Sequence, residues 1–219
     1  MKRSFTLSMS VALTACAHYV PTASLDHTHS NKSIPLAVWV DQFEDRSPLE
    51  DRESASWVWE TTGWSATNGR YMKGDLSSLV KEVISRDLQE HNIFRVVYLN
   101  KDSSDVILSG AILRFYERMY PHWSHKIPFI GMLTNFLGVP RQHLGHVDIE
   151  LKLTDKGGHV LGTYREEESF EEYFSMYDEN AWGFLFRNIG ARLNQAFSKV
   201  FKKIRDRMVL DTNRISQAS

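Results

Sequence analysis

Cysteine is almost missing from this chain, since Cys16 is the only one among 219 residues. A single thiol cannot form an internal disulfide, so packing has to stabilise the folded state. No later stretch approaches the roughly 20 consecutive apolar residues of a membrane-spanning helix. Neither sign of charge dominates, because 26 Lys and Arg stand against 27 Asp and Glu. This balance gives no electrostatic argument for nucleic-acid binding.

Motifs of the common enzyme classes are also missing. The chain has no G-x-S-x-G nucleophile elbow, no phosphate-binding glycine loop and no H-E-x-x-H zinc motif. Its acidic clusters, such as Glu44-Asp45 and Glu166-Glu167-Glu168, lie in polar stretches typical of hydrated carboxylates. We therefore predict a non-catalytic protein without a cofactor.

The first sixteen residues have the pattern of a secretory signal. Lys2 and Arg3 give a cationic start, an apolar run extends from Phe5 to Leu13, and small residues precede Cys16. Charge, apolar core and small-residue cleavage site, in this order, define a signal peptide. We therefore predict that residues 1–15 are a signal peptide.

The sequence Leu13-Thr14-Ala15-Cys16 resembles the lipobox of bacterial lipoproteins. The resemblance implies that Cys16 is lipidated, with palmitate among its acyl chains, and becomes the first residue of the mature protein. Acyl chains contribute roughly 0.8 kcal/mol per buried CH2 and anchor a protein firmly when several are present. Because Ala17 rather than aspartate follows the cysteine, the resemblance implies the outer membrane, facing the periplasm. The alternative is an ordinary signal peptide with an incidental cysteine.

Composition predicts one folded domain between two irregular ends. Residues 16–33 contain few large apolar side chains and no periodicity, so they are predicted to be a flexible tether that begins at the lipidated cysteine. Residues 34–210 are predicted to be a single periplasmic domain, because the chain is 42% hydrophobic and long enough for one core. Residues 211–219 are predicted to be a disordered tail.

Hydrophobic periodicity within this domain predicts an α+β fold. Ile34 to Val40 indicates a first strand, and Asp75 is a candidate N-cap of a helix with one apolar face. Two strands follow, over residues 93–99 and 104–120. Strict alternation from Val147 to Leu153, followed by a glycine turn, predicts an antiparallel hairpin. A last helix carries a long apolar stripe, formed by Trp182, Leu185, Phe186, Ile189, Leu193, Phe197, Val200, Phe201 and Ile204. We expect a mainly antiparallel sheet covered on one face by two helices.

An apolar insertion at residues 126–140 interrupts this pattern. It is much longer than the two to five residues that usually connect neighbouring antiparallel strands. If its large side chains are exposed, they form a patch that binds a partner or lipid. If they fold back over the sheet, the insertion only covers the core. We predict the binding patch, which consists of Phe129, Ile130, Leu133, Phe136 and Leu137.

Two further groups have a functional and a structural interpretation. His122, His125, His143 and His146 flank the insertion and could supply four nitrogen ligands to zinc, but no carboxylate or thiolate motif accompanies them. We therefore predict no metal site. A basic cluster in the last helix suits either a solvated face, which we favour, or contact with anionic lipid. It consists of Lys199, Lys202, Lys203, Arg205 and Arg207.

The order of these elements after the lipobox resembles the ABC-type transport auxiliary lipoproteins. The resemblance covers about residues 34–204, through segments such as "DVILSGAILRFY" and "LTDKGGHVL", and the long insertion departs from it. It implies a lipid-anchored accessory protein in outer-membrane lipid transport or envelope assembly, with an envelope protein as partner. The alternative is an oligomeric structural component of an outer-membrane secretion or surface complex.

Overall fold

A computed structural model describes residues 19–23, 33–52, 64–65, 72, 74–98, 100–120, 130, 133, 138–174 and 190–218. Within these residues the chain forms six strands, β1 (Ile34–Asp45), β2 (Trp64–Ser65), β3 (Phe94–Tyr98), β4 (Val106–Tyr120), β5 (Arg141–Asp155) and β6 (Val160–Phe174). It also forms four helices, α1 (Leu49–Arg52), α2 (Leu76–Glu90), α3 (Ala191–Leu210) and α4 (Thr212–Ala218).

All six strands belong to one sheet with the order β3-β1-β4-β5-β6, and β2 pairs with the end of β4. The β4–β5, β5–β6 and β2–β4 pairs are antiparallel. β1 is parallel to both of its neighbours, β3 and β4. The mainly antiparallel α+β fold is therefore confirmed, with a parallel edge that the sequence pattern did not predict.

The long strands give the sheet two distinct ends. At the insertion end, β4 finishes at Tyr120, β5 starts at Arg141 and β6 finishes at Phe174. At the hairpin end, the tight turn between Asp155 and Val160 joins β5 to β6. Fourteen residue steps of about 3.3 Å separate the two ends of β6, which is roughly 45 Å along the strand.

The hydrophobic core lies between one face of the sheet and the two long helices. Asp75 caps α2 by accepting a hydrogen bond from the Ser78 N–H at 3.0 Å, as predicted, and Asn92 follows the helix with a φ of 53°. Together α2 and α3 bury eleven apolar side chains in the core: Leu76, Val80, Ile84, Leu88, Leu193, Ala196, Phe197, Val200, Phe201, Ile204 and Met208. The two-helix cover is therefore confirmed, although Trp182, Leu185, Phe186 and Ile189 lie outside the described residues.

The end of the chain differs from the predicted disordered tail. α4 occupies Thr212–Ala218, and its Ile215 side chain is fully buried in the core. The Thr212 hydroxyl donates to the carbonyl of Val209 at 2.6 Å, which ties the start of α4 to the last turn of α3. One apolar residue in a polar stretch gives no periodic signal, so the sequence pattern does not predict this short helix.

The basic cluster of α3 is engaged in ion pairs within the fold. Lys199 and Lys203 donate to the two carboxylate oxygens of Glu168 on β6, at 3.1 and 2.9 Å. Arg207 pairs with Glu166 at 2.6 Å, and the buried Arg205 pairs with Asp87 on α2. These contacts join α3 to the sheet and to α2, so they explain most of the cluster without a lipid surface. Among the described residues, no helix is both long and apolar enough to cross a membrane.

The Glu168 contacts predict a specific loss of stability in acid. The hydrogen bond from Lys203, aided by Lys199, lowers the pKa of Glu168. A lowered folded-state pKa stabilises the fold above the unfolded pKa of about 4.3, and this contribution is lost as the pH falls below that value. We expect Glu168→Gln to reduce stability at pH 7 by up to about 1 kcal/mol and to have a smaller effect at pH 3. Urea unfolding at both pH values measures this difference, with Glu82→Gln in an exposed helix pair as the control.

Candidate functional site

Residues 19–23 dock onto the start of α3, at the insertion end of the sheet. The Tyr19 side chain is 1% exposed, and its hydroxyl donates to Oδ1 of Asn194 at 2.8 Å. The Thr22 N–H donates to the same oxygen at 2.9 Å. Part of the predicted flexible tether is therefore packed on the domain. We call residues 19–23 the docked segment.

Gly190 makes this docking possible. A Cβ atom built on Gly190 would lie 2.0 Å from ring carbons Cδ2 and Cε2 of Tyr19, far inside van der Waals contact. The φ of Gly190 is also 80°, in the left-handed region that side chains other than glycine rarely adopt. Gly190 is the N-cap of α3, and because glycine has no side chain, it cannot cap the helix with a side-chain hydrogen bond. Glycine thus provides both the turn into α3 and the surface under the Tyr19 ring.

A buried carboxylate replaces the missing cap of α3. Glu117 on β4 is fully buried, and its Oε2 accepts a hydrogen bond from the Leu193 N–H at 3.0 Å. The first N–H groups of a helix have no partner within it, and a negative charge there is favourable. The other oxygen, Oε1, lies 3.0 Å from Nε2 of His143, which is also buried. Burial, with a smaller effect from the Glu117 charge, raises the pKa of Tyr19 well above its usual value.

Tyr19, Glu117 and His143 are groups that could carry protons in a reaction, but each is at most 2% exposed. Their described hydrogen bonds run to Asn194, to the backbone of α3 and to one another. His143 also packs edge-on against Phe170, with 5.2 Å between the ring centroids. The arrangement is well suited to holding the docked segment and the start of α3 on the sheet.

Of the four flanking histidines, the two that the structure describes do not converge on one site. His143 and His146 lie three positions apart in the regular part of β5, so their side chains are on opposite faces of the sheet. His122 and His125 lie outside the described residues. A different group, His146, Asp148 and Glu167, brings its ligand atoms within 4.8 Å of one another. Arg165 donates to both carboxylate oxygens of Asp148, at 3.0 and 2.6 Å. Ion pairing with Arg165 therefore explains why the Asp148 carboxylate lies here without a metal ion.

Two arginines lie on the face of the sheet opposite the long helices. Arg114 donates from Nε and Nη2 to the buried carboxylate of Asp51, at 2.8 and 2.9 Å. Arg114 and Arg118 each place the guanidinium carbon 4.9 Å from the centroid of the Tyr116 ring. Asp51 belongs to α1, so this pairing fixes α1 on the insertion end of β4.

Of the five residues predicted to form the apolar patch, the structure describes Ile130 and Leu133. Their side chains are 43% and 56% exposed. Phe129, Phe136 and Leu137 lie outside the described residues, as does the predicted lipidation site Cys16. The binding role of the patch and the lipidation of Cys16 therefore remain predictions.

Most of the exposed large apolar side chains belong to segments at the insertion end. Val20 lies in the docked segment, Leu49 in α1 and Tyr173 near the end of β6, with exposed fractions of 46%, 71% and 65%. Ile130 and Leu133 belong to the connection between β4 and β5, which leaves and re-enters the sheet at this end. In the described part of the chain, the other exposed large apolar side chains are Val96 on the edge strand β3, Val160 at the hairpin end and Leu210 at the end of α3.

Sequence reasoning did not find the docked segment. Its anchor point, Asn194, is 175 positions away from Tyr19, and no periodicity joins the two. The available signal was weak: Tyr19 is the only aromatic residue among residues 17–33, which are otherwise rich in small and polar side chains. A lone aromatic residue in such a stretch is a candidate for burial on a neighbouring domain.

Comparisons with known proteins concern the fold alone. No family model matches the chain, and no curated protein is similar to it in sequence. The structure is similar to that of protein XCC0632 from Xanthomonas campestris, of the DUF330 family, with a TM-score of 0.52 and 10% identity over 93% of this chain and 100% of that chain. Lipoprotein GNA1162 from Neisseria meningitidis gives a TM-score of 0.33 and 13% identity over 74% of this chain and 97% of that chain. The similarity to the DUF330 protein supports the fold.

Proposed function

We propose that the chain is a non-catalytic, lipid-anchored envelope lipoprotein, accessory to lipid transport or assembly at the outer membrane. The observation that carries this proposal is the position of the lipobox cysteine: Cys16 lies three residues before Tyr19, which is the first residue that the structure describes and is packed on the domain. Three residue steps span at most about 11 Å. A lipid on Cys16 would therefore be attached next to the folded domain.

The polar groups of the insertion end agree with a non-catalytic role. Glu117 and His143 are buried, and Glu117 accepts a hydrogen bond from the backbone at the start of α3. Arg114 forms an ion pair with Asp51. A binding role suits the exposed Ile130 and Leu133 better, because exposed apolar clusters mark interaction surfaces. An accessory role also implies a protein partner in the envelope, which crosslinking in cells followed by mass spectrometry would identify.

Replacing Cys16 tests the lipid anchor directly. We expect Cys16→Ala to move the protein out of the membrane fraction or to leave an unprocessed precursor, because the acyl chains have lost their attachment atom. Membrane fractionation with intact-mass measurement checks both outcomes. Thr6→Ala, in the same leader but outside the lipobox, is the matched control and should be lipidated normally. A Cys16→Ala protein that has lost its signal peptide but stays quantitatively in the membrane fraction would contradict the anchor.

The size of the detergent-extracted protein separates the proposed role from its alternative. An accessory lipoprotein is expected to be small, alone or with its partner. An oligomeric component of a secretion or surface complex would elute as a large assembly of this chain, and light scattering distinguishes the two.

A further inference from the structure

The geometry points to the insertion end of the sheet as a surface that faces the lipid bilayer, held against the membrane by the docked segment. The inference rests on the proposed lipidation of Cys16 and extends it. A flexible tether would let the domain rotate freely above the membrane. A docked segment instead fixes which end of the domain lies next to the anchor.

The first argument is distance. The Tyr19 side chain is locked between Gly190 and Asn194, so the acylated residue lies within about 11 Å of the insertion end. The hairpin end is roughly 45 Å farther along β6. Because the acyl chains are in the membrane, the insertion end is the part of the domain that the anchor brings to the lipid surface.

The second argument is the chemistry of the surface itself. Val20 in the docked segment, Leu49 in α1 and Tyr173 near the end of β6 are exposed, as are Ile130 and Leu133 in the connection that leaves β4 and enters β5 at this end. Apolar and aromatic side chains of this kind enter the boundary between lipid headgroups and acyl chains. The occupant we assign to this surface is therefore the leaflet that holds the anchor, because the anchor and the exposed apolar residues belong to the same end.

Fluorescence quenching by lipids tests the orientation. Because lipidation consumes the thiol of Cys16, the Leu133→Cys variant has one reactive thiol, which takes an environment-sensitive fluorophore. Val160→Cys is the matched control, since Val160 is 52% exposed against 56% for Leu133 but lies at the hairpin end. The lipidated proteins are placed in phosphatidylethanolamine–phosphatidylglycerol vesicles containing a doxyl-labelled lipid. We expect quenching at position 133 and little or none at position 160.

A linker variant then tests whether the docked segment sets this orientation. About 20 Gly and Ser residues inserted between Ala17 and His18 would have a root-mean-square span of roughly 25 Å, while Tyr19 stays free to dock. We expect quenching at position 133 to fall, with an unchanged melting temperature. Equal quenching at positions 133 and 160, or a pattern that the linker does not change, would overturn the inference. Mass spectrometry of Cys16 in the same samples keeps the two proposals separate, because an unmodified Cys16 overturns the anchor itself.

Discussion

Asp87→Ala is expected to lower the free energy of unfolding by about 3–5 kcal/mol, because it leaves a buried arginine without its carboxylate. Arg205 is 5% exposed, and its Nη1 lies 3.2 and 3.4 Å from the two carboxylate oxygens of Asp87. Nδ1 of His91 lies 3.4 Å from the same carboxylate. The pair joins α2 to α3 within the helical layer, so its loss affects the packing of both helices. Urea unfolding followed by circular dichroism measures the change.

Two controls show whether the loss of the ion pair with Asp87 causes this destabilisation. Glu82→Ala removes an exposed ion pair from the same helix, since Glu82 and Arg86 are both more than half exposed, and should cost no more than about 0.5 kcal/mol. The double change Asp87→Leu with Arg205→Met removes both charges and should recover most of the stability, because apolar replacements of a buried ion pair are often neutral. A double variant as unstable as Asp87→Ala would mean that packing volume, rather than the broken ion pair, dominates the loss of stability.

Local patterns predicted the elements of this fold well. The spacing of Leu76, Val80, Ile84 and Leu88 indicated α2, and the alternation from Val147 to Leu153 indicated a strand with one buried face. Both patterns arise from burial of one side of an element, so they are visible in a few neighbouring residues. The parallel pairing of β1 with β3 and β4 leaves no comparable local trace, because it depends on where distant segments meet.

The candidate site was predicted less well, because its contacts join residues far apart in the chain. Glu117 reads as one polar position on the strand β4, and only the approach of Leu193 shows that it caps α3. His143 and His146 looked equivalent as flanking histidines, but alternation along β5 puts them on opposite faces. Lys199, Lys203 and Arg207 are about half exposed, as expected for a solvated face, but their pairing with Glu166 and Glu168 was not predicted. The burial of Arg205 against Asp87 was not predicted either. Charge pairing across a fold is not encoded in a local pattern.

Gly190→Ala is expected to release the docked segment and to destabilise the fold by about 3–5 kcal/mol, the range seen when a large buried side chain loses its packing. The new methyl group would lie 2.0 Å from the Tyr19 ring, and left-handed backbone geometry adds about 1 kcal/mol of strain. Gly158→Ala is the matched control, because its φ is 86° but its Cβ would meet nothing within 4 Å, so it should show the strain alone.

A double-mutant cycle assigns the remaining cost of Gly190→Ala to the contact with Tyr19. In a Tyr19→Ala background the ring is gone, so Gly190→Ala should cost no more than Gly158→Ala does. Protease cleavage in the docked segment should increase in Gly190→Ala and stay unchanged in Gly158→Ala, because only the first variant expels Tyr19 from its place beside Asn194. If Gly190→Ala costs the same with and without Tyr19, the loss comes from the start of α3 rather than from the contact with the Tyr19 ring.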